Sequence, residues 1–206
     1  MSVAAAVRLV KRRGQAMQKA VPVGEGAMAA LLGLDIEAAR EVADGTHGFG
    51  ICVVANDNCP GQIVVSGHRT AVERAVELAA ERGARRSIML PVSAPFHCPL
   101  MAPAAEAMEE ALGDIVLRAP LVPVVANVTA APTSDPKDIK DLLIEQVTRM
   151  VRWRETVLLF KAQNVEEVVE IGSGRVLAGL VRRIDRELPA SSVGAAAEVE
   201  ALMKRL

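Results

Sequence analysis

"GICVVANDNCPGQIVVSGHRTAVERAVELAAERG", residues 50–83, decides the fold of the first half of this chain. Residues 50–56 and 62–67 are short, apolar, β-branched runs, and the "DNCPG" between them is made of turn formers. From His68 the period changes: Val72, Ala75, Val76 and Ala79 fall on one helical face, and Gly83 supplies a stop signal. The same grammar continues on both sides. "GAMAALLGL" (26–34) predicts a buried strand, "DIEAAREVADG" (35–45) a short helix opened by Asp35, and "RRSIMLPV" (85–92) another strand. The order β-α-β-β-α-β is the split βαβ, ferredoxin-like arrangement. It is predicted to be complete within residues 24–92.

The flanks read differently. "MSVAAAVRLVKRRGQAMQKAVP" (1–22) has helical spacing from its start and closes at Pro22. Nothing precedes it to bury its apolar face, as expected of a chain that opens inside a larger domain. After residue 97 a helix is predicted over about 98–112 and a strand at "VPVVANV" (122–128), with a helix entered through Asp135-Pro136. The amphipathic "VRWRETVLLFKAQN" (151–164), the strand and glycine turn "VEEVVEIGSG" (165–174), and the helix "RVLAGLVRRIDREL" (175–188) follow. Alternation of this kind predicts a parallel, helix-covered sheet. The expected class is therefore α/β, with residues 1–23 and 93–206 forming one domain in two pieces and residues 24–92 a small domain between them.

Composition narrows the function. The net charge of −1 creates no basic field for nucleic acid, and one Trp, three Phe and no Tyr leave few rings on which bases could stack. No apolar run approaches the roughly 20 residues that span a bilayer. Cys52, Cys59 and Cys98 are odd in number, contain no C-x-x-C pair and follow no visible signal peptide, so they read as reduced thiols of a cytoplasmic protein. Cys59, Cys98, His68 and His97 do not have the spacings of a zinc site.

Four stretches could carry chemistry, and each has an ordinary structural explanation when taken singly. "NDNCPGQIVVSGH" (56–68) is a hairpin turn, and the arginines of "VKRRGQAMQ" (10–18) are cations late in a helix. "VVEIGSGRVLAGLVRRI" (168–184) is a strand-to-helix connection whose helix start could hold an anion. "PVSAPFHCPLM" (91–101) places His97 in a proline-broken loop, either as a core residue or as an imidazole held out for reaction.

Together, in this order and spacing, the four resemble the malonyl-CoA:acyl-carrier-protein transacylases of type II fatty-acid synthesis. The resemblance covers the whole chain and roughly the C-terminal two-thirds of the family pattern. It implies an α/β-hydrolase-like acyltransferase domain with an inserted ferredoxin-like small domain. By this resemblance His97 is the base of a Ser–His dyad, and the backbone carbonyl of Gln146 orients its ring. Arg13 grips the free carboxylate of malonate, a task suited to a planar, bidentate guanidinium. Asn58 falls in the family's active-site cleft, and Phe96 narrows the pocket against an α-methyl group.

The implied reaction carries malonyl from malonyl-CoA to a serine ester, then to the phosphopantetheine thiol of acyl carrier protein. The implied partners are that carrier protein and a coenzyme A thioester, with no metal, no redox cofactor, no nucleic acid and no membrane. The chain departs from the pattern in three respects. It has no G-x-S-x-G elbow for the nucleophile and no G-Q-G-S-Q stretch for the oxyanion hole, and Ser173 stands where a proline is usual. Ser93 lacks an elbow around it. The resemblance therefore implies an N-terminally truncated copy that holds the base and the carboxylate clamp but no attacking group. A polyketide-type acyltransferase unit and a non-catalytic binder of acyl-CoA or carrier protein are the alternative readings.

Overall fold

The computed structural model describes residues 1–205 as a mixed α/β chain that divides into two compact units, Met1–Trp153 and Arg154–Leu206. In the first unit, helix α1 (Val3–Lys19) is followed by β1 (Gly26–Leu32), α2 (Ile36–Asp44), β2 (Cys52–Cys59), β3 (Gln62–His68), α3 (Arg69–Glu81) and β4 (Arg86–Met89). The four strands form one antiparallel sheet of order β2-β3-β1-β4, with Ala30 facing both Val64 and Ile88 in register.

β1 is apolar on both faces because both are covered. Ala29 and Leu31 pack with Ile63, Val65, Val42 and Val72 under α2 and α3. Met28 and Ala30 pack with Val64 and Ala55 on the opposite face, against Leu90, Val92 and Phe96. Asp35 opens α2 as read from the sequence, its Oδ1 accepting the Ala38 N–H at 2.8 Å.

The hairpin is tighter than the sequence suggests. β2 runs on through Asp57, Asn58 and Cys59, leaving only Pro60 and Gly61 as the turn, and Gly61 takes φ +70°, which favours glycine. Two register shifts in β2 absorb the polar residues, and Asp57 and Cys59 are buried there. The outer edge of β2 is paired in turn: Val151 N–H donates to the Ala55 carbonyl, and Asp57 N–H to the Val151 carbonyl.

Beyond a single 3-10 turn at Pro99–Met101 come α4 (Ala102–Gly113), β5 (Val124–Val125), β6 (Pro132–Thr133) and α5 (Pro136–Glu145). α1 packs on α4 through Leu9, Met17, Met101, Met108 and Leu112. "VPVVANV" is not the parallel strand expected. Pro123 removes a donor, and the chain turns at Asn127, leaving two residues that pair antiparallel with β6.

In the second unit, α6 (Trp153–Ala162), which begins at the boundary, is followed by β7 (Val168–Ile171), α7 (Val176–Ile184), β8 (Ala190–Val193) and α8 (Ala196–Met203). β7 and β8 pair in parallel around α7, and Glu170 accepts the free N–H groups of Leu177 and Ala178 at the start of α7. β8 and α8 were not anticipated, because "ASSV" is short and only half apolar. Among the described residues no helix is long and apolar enough to cross a membrane.

Candidate active site

One cavity in the first unit, about 360 Å³, has the chemistry of a reaction site. Its lining includes Arg13, His97, Asn127 and Gln146, with Leu9, Met108 and Leu143 as apolar wall. Its size falls within the range of small-molecule pockets.

Arg13 reaches it because of helical phase. Leu9, Arg13 and Met17 are four residues apart, so the arginine lies on the stripe that α1 turns toward α4. Its guanidinium is partly desolvated, which lowers its pKa, and its Nε is buried with no hydrogen-bond partner. A half-buried cation whose buried Nε has no partner is prepared for an anion.

His97 sits in a loop rather than a helix or strand, with φ +59°, a left-handed conformation that few side-chain-bearing residues adopt. Its Nδ1–H donates to the Gln146 carbonyl at 2.9 Å. Gln146 is the C-terminal cap of α5, where carbonyls lack helical partners, so the histidine satisfies one of them. The bond fixes the tautomer and leaves Nε2 bare as a proton acceptor. It also places the negative end of α5 behind a ring that becomes positive on accepting a proton. Burial lowers the pKa of His97, the Gln146 and Arg149 carbonyls oppose that shift, and the Arg13 charge adds to it.

The structure thus brings Arg13, His97 and Gln146 to one cavity. Asn58, half-buried on β2, and Phe96, packed between the core of α1 and α4 and the lower face of the sheet, are not among its lining residues. Asn127 lines the cavity and was missed. The signal was a lone amide closing "VVAN", which a strand reading hides. The arginine could have been singled out as the one cation on an apolar stripe of α1. Cys52, Cys59 and Cys98 are free thiols, and burial raises the Cys52 pKa to about 12. Among the described residues no group of three or more His, Cys, Asp or Glu could hold a metal ion.

Known proteins share this arrangement of chain. A malonyl CoA-acyl carrier protein transacylase of Bacillus subtilis (strain 168) is 45% identical over 202 residues, which are 98% of this chain and 64% of that protein. The chain thus spans a little under two-thirds of such relatives. The crystal structure of an acyl-carrier-protein S-malonyltransferase from Bartonella henselae superposes with a TM-score of 0.95 at 51% identity, covering 100% of this chain and 65% of that one. A type II PKS acyl-carrier protein in complex with its malonyl-transacylase gives a TM-score of 0.92 at 40% identity, covering 98% of this chain and 65% of its counterpart. The acyl transferase domain family matches residues 1–205, and the chain belongs to that family.

Proposed function

We propose that this chain carries the base and the carboxylate clamp of a malonyl transfer from malonyl-CoA to the phosphopantetheine thiol of an acyl carrier protein. The observation that carries the reading is one cavity holding a half-buried arginine and a histidine whose Nδ1–H is committed to the Gln146 carbonyl at 2.9 Å. In this reading the bare Nε2 takes the proton of a serine hydroxyl as its oxygen attacks the malonyl thioester, and the proton passes to the departing coenzyme A thiolate. In the second half-reaction Nε2 takes the pantetheine thiol proton, and the serine oxygen leaves the acyl group with that proton. Arg13 holds the malonate carboxylate throughout. The serine comes from polypeptide outside these 206 residues, since no G-x-S-x-G occurs among them.

The same reading includes Phe96, one residue before the base, as the wall against an α-methyl group, and Asn58 as a polar group of the cleft. It assigns residues 24–92 to a ferredoxin-like small domain inserted in a partial α/β-hydrolase-like acyltransferase domain, residues 1–23 and 93–206. The β2-β3-β1-β4 order of the antiparallel sheet supports that assignment. Malonyl-CoA and carried phosphopantetheine are reactants, no further cofactor is required, and the setting is cytoplasmic.

The test joins this chain to the amino-terminal third of a family relative and measures transfer to carrier protein. His97→Ala should slow both half-reactions by on the order of 10² to 10⁴ and leave coenzyme A affinity unchanged. Undiminished transfer by that variant would end the proposal.

A further inference from the structure

We propose that Gly26 and Pro95 form a positioning pair for His97: the bare Cα of residue 26 seats the proline ring, and the seated ring holds the turn that aims the imidazole. The inference rests on the reading of His97 as the base and adds residues that nothing in the cavity itself would indicate.

A Cβ on Gly26 would stand 2.4 Å from both Cδ and Cγ of Pro95. Cδ is bonded to the backbone nitrogen, so the ring cannot swing aside as the end of a flexible side chain would. Gly26 does not have a positive φ, so what this position requires is space rather than backbone freedom. The sheet side is held: Gly26 pairs with His68, Arg69 N–H donates to the Glu25 carbonyl at 2.8 Å, and Arg69 Nε to the Gly24 carbonyl at 2.8 Å. The loop side is therefore the one that yields.

That loop transmits displacement. Phe96 N–H closes on the Ala94 carbonyl at 3.1 Å around Pro95, and the Cys98 thiol donates to the Pro95 carbonyl at 3.0 Å. His97 lies inside this second bracket, in a left-handed well too narrow to absorb a tilt. Moving Pro95 from 2.4 Å to an ordinary 3.4 Å contact shifts the loop by about 1 Å. The His97–Gln146 bond starts at 2.9 Å, and a shift of that size takes it beyond hydrogen-bonding distance.

The test reads the ring directly, by ¹⁵N NMR of the His97 imidazole in the chain as it stands, with slow-exchanging sheet amides as the folding control. The original protein should show one tautomer, protonated at Nδ1. Gly26→Ala should give a mixture of tautomers with the sheet amides retained. Adding Pro95→Ala, which deletes the two atoms at 2.4 Å and lets the methyl introduced at residue 26 fill the seat in place of the ring, should restore the single tautomer. Should Gly26→Ala fail to fold, Pro95→Ala alone decides: with the seat empty, its ring signals should show mixed tautomers. A folded Gly26→Ala with one unchanged tautomer, a double variant without rescue, or an unchanged ring in the deciding Pro95→Ala experiment would each overturn the proposal. None of these readouts needs turnover. A failure here is therefore separate from a failure of His97 as the base, which only transfer by His97→Ala can reveal.

Discussion

Replacing Arg13 with methionine keeps the stem that packs on α1 and α4 and deletes the cation. The guanidinium is already half out of water, and its Nε lacks a partner. Much of its desolvation therefore precedes ligand binding, and a carboxylate that reaches it gains a charge-assisted bond without repeating that cost. Such bonds contribute about 1.5–3 kcal/mol, which corresponds to roughly a 10- to 150-fold weaker affinity for malonyl-CoA when the cation is removed. Acetyl-CoA has no carboxylate, so its affinity should hold or improve, because an unmatched, half-desolvated charge is gone. Arg13→Lys should fall between, keeping the charge but losing the planar fork. Calorimetric titration of both thioesters against the three proteins measures this. If Arg13→Met weakens malonyl-CoA and acetyl-CoA equally, the arginine is packing the helix pair rather than choosing the acyl group.

The pH behaviour of His97 follows from its surroundings. Its pKa is held below the ordinary 6.5 by burial first, so below pH 6.5 the unfolded chain binds a proton that the folded chain resists. The stability contributed by its burial is complete above pH 6.5 and declines as pH falls toward the folded value, seen as a fall in Tm that His97→Asn abolishes. Arg13→Met should raise the pKa of the ring, because the arginine is one of the groups lowering it, and an NMR titration checks the direction. Leu31, fully buried between sheet and helices, should lose about 2–5 kcal/mol of stability as Leu31→Ala in urea unfolding. Asp135→Ala removes the cap that accepts Lys137 and Asp138 N–H at 2.7 and 3.0 Å; it should cost about 1 kcal/mol and speed amide exchange at the start of α5.

The sheet with its two helices was legible because each element has its own period and its own stop: Asp35 before α2, Gly83 after α3, and an apolar run at β1 that reflects two covered faces. The end of β2 was not, since Asp57 and Asn58 look like turn residues and only a bulged, edge-paired strand accommodates them. Pro123 concealed the short β5–β6 pair, and the parallel pair β7–β8 was half visible because "ASSV" has little to mark it. His97, Gln146 and Arg13 were named through resemblance. That they share a cavity depends on α5 returning beside the loop, a long-range contact no local pattern encodes. Asn127 was lost for the same reason, and so was the seat at Gly26, which consists of an atom that is missing.

The carbonyl that meets His97 ends α5, and none of the residues in that helix is fully buried. Apart from Leu143 in the cavity wall and Ile144 against the core, the spelling of α5 is therefore loosely constrained, while its number of residues is not. Each residue advances a helix by about 1.5 Å and turns it by about 100°. One codon gained or lost between Asp135 and Gln146 would leave a well-capped helix whose last carbonyl faces elsewhere. Point substitutions across this segment should be forgiven far more readily than in-frame insertions or deletions. The helix acts as a ruler, and a library of single-residue indels would locate its two ends at Asp135 and Gln146.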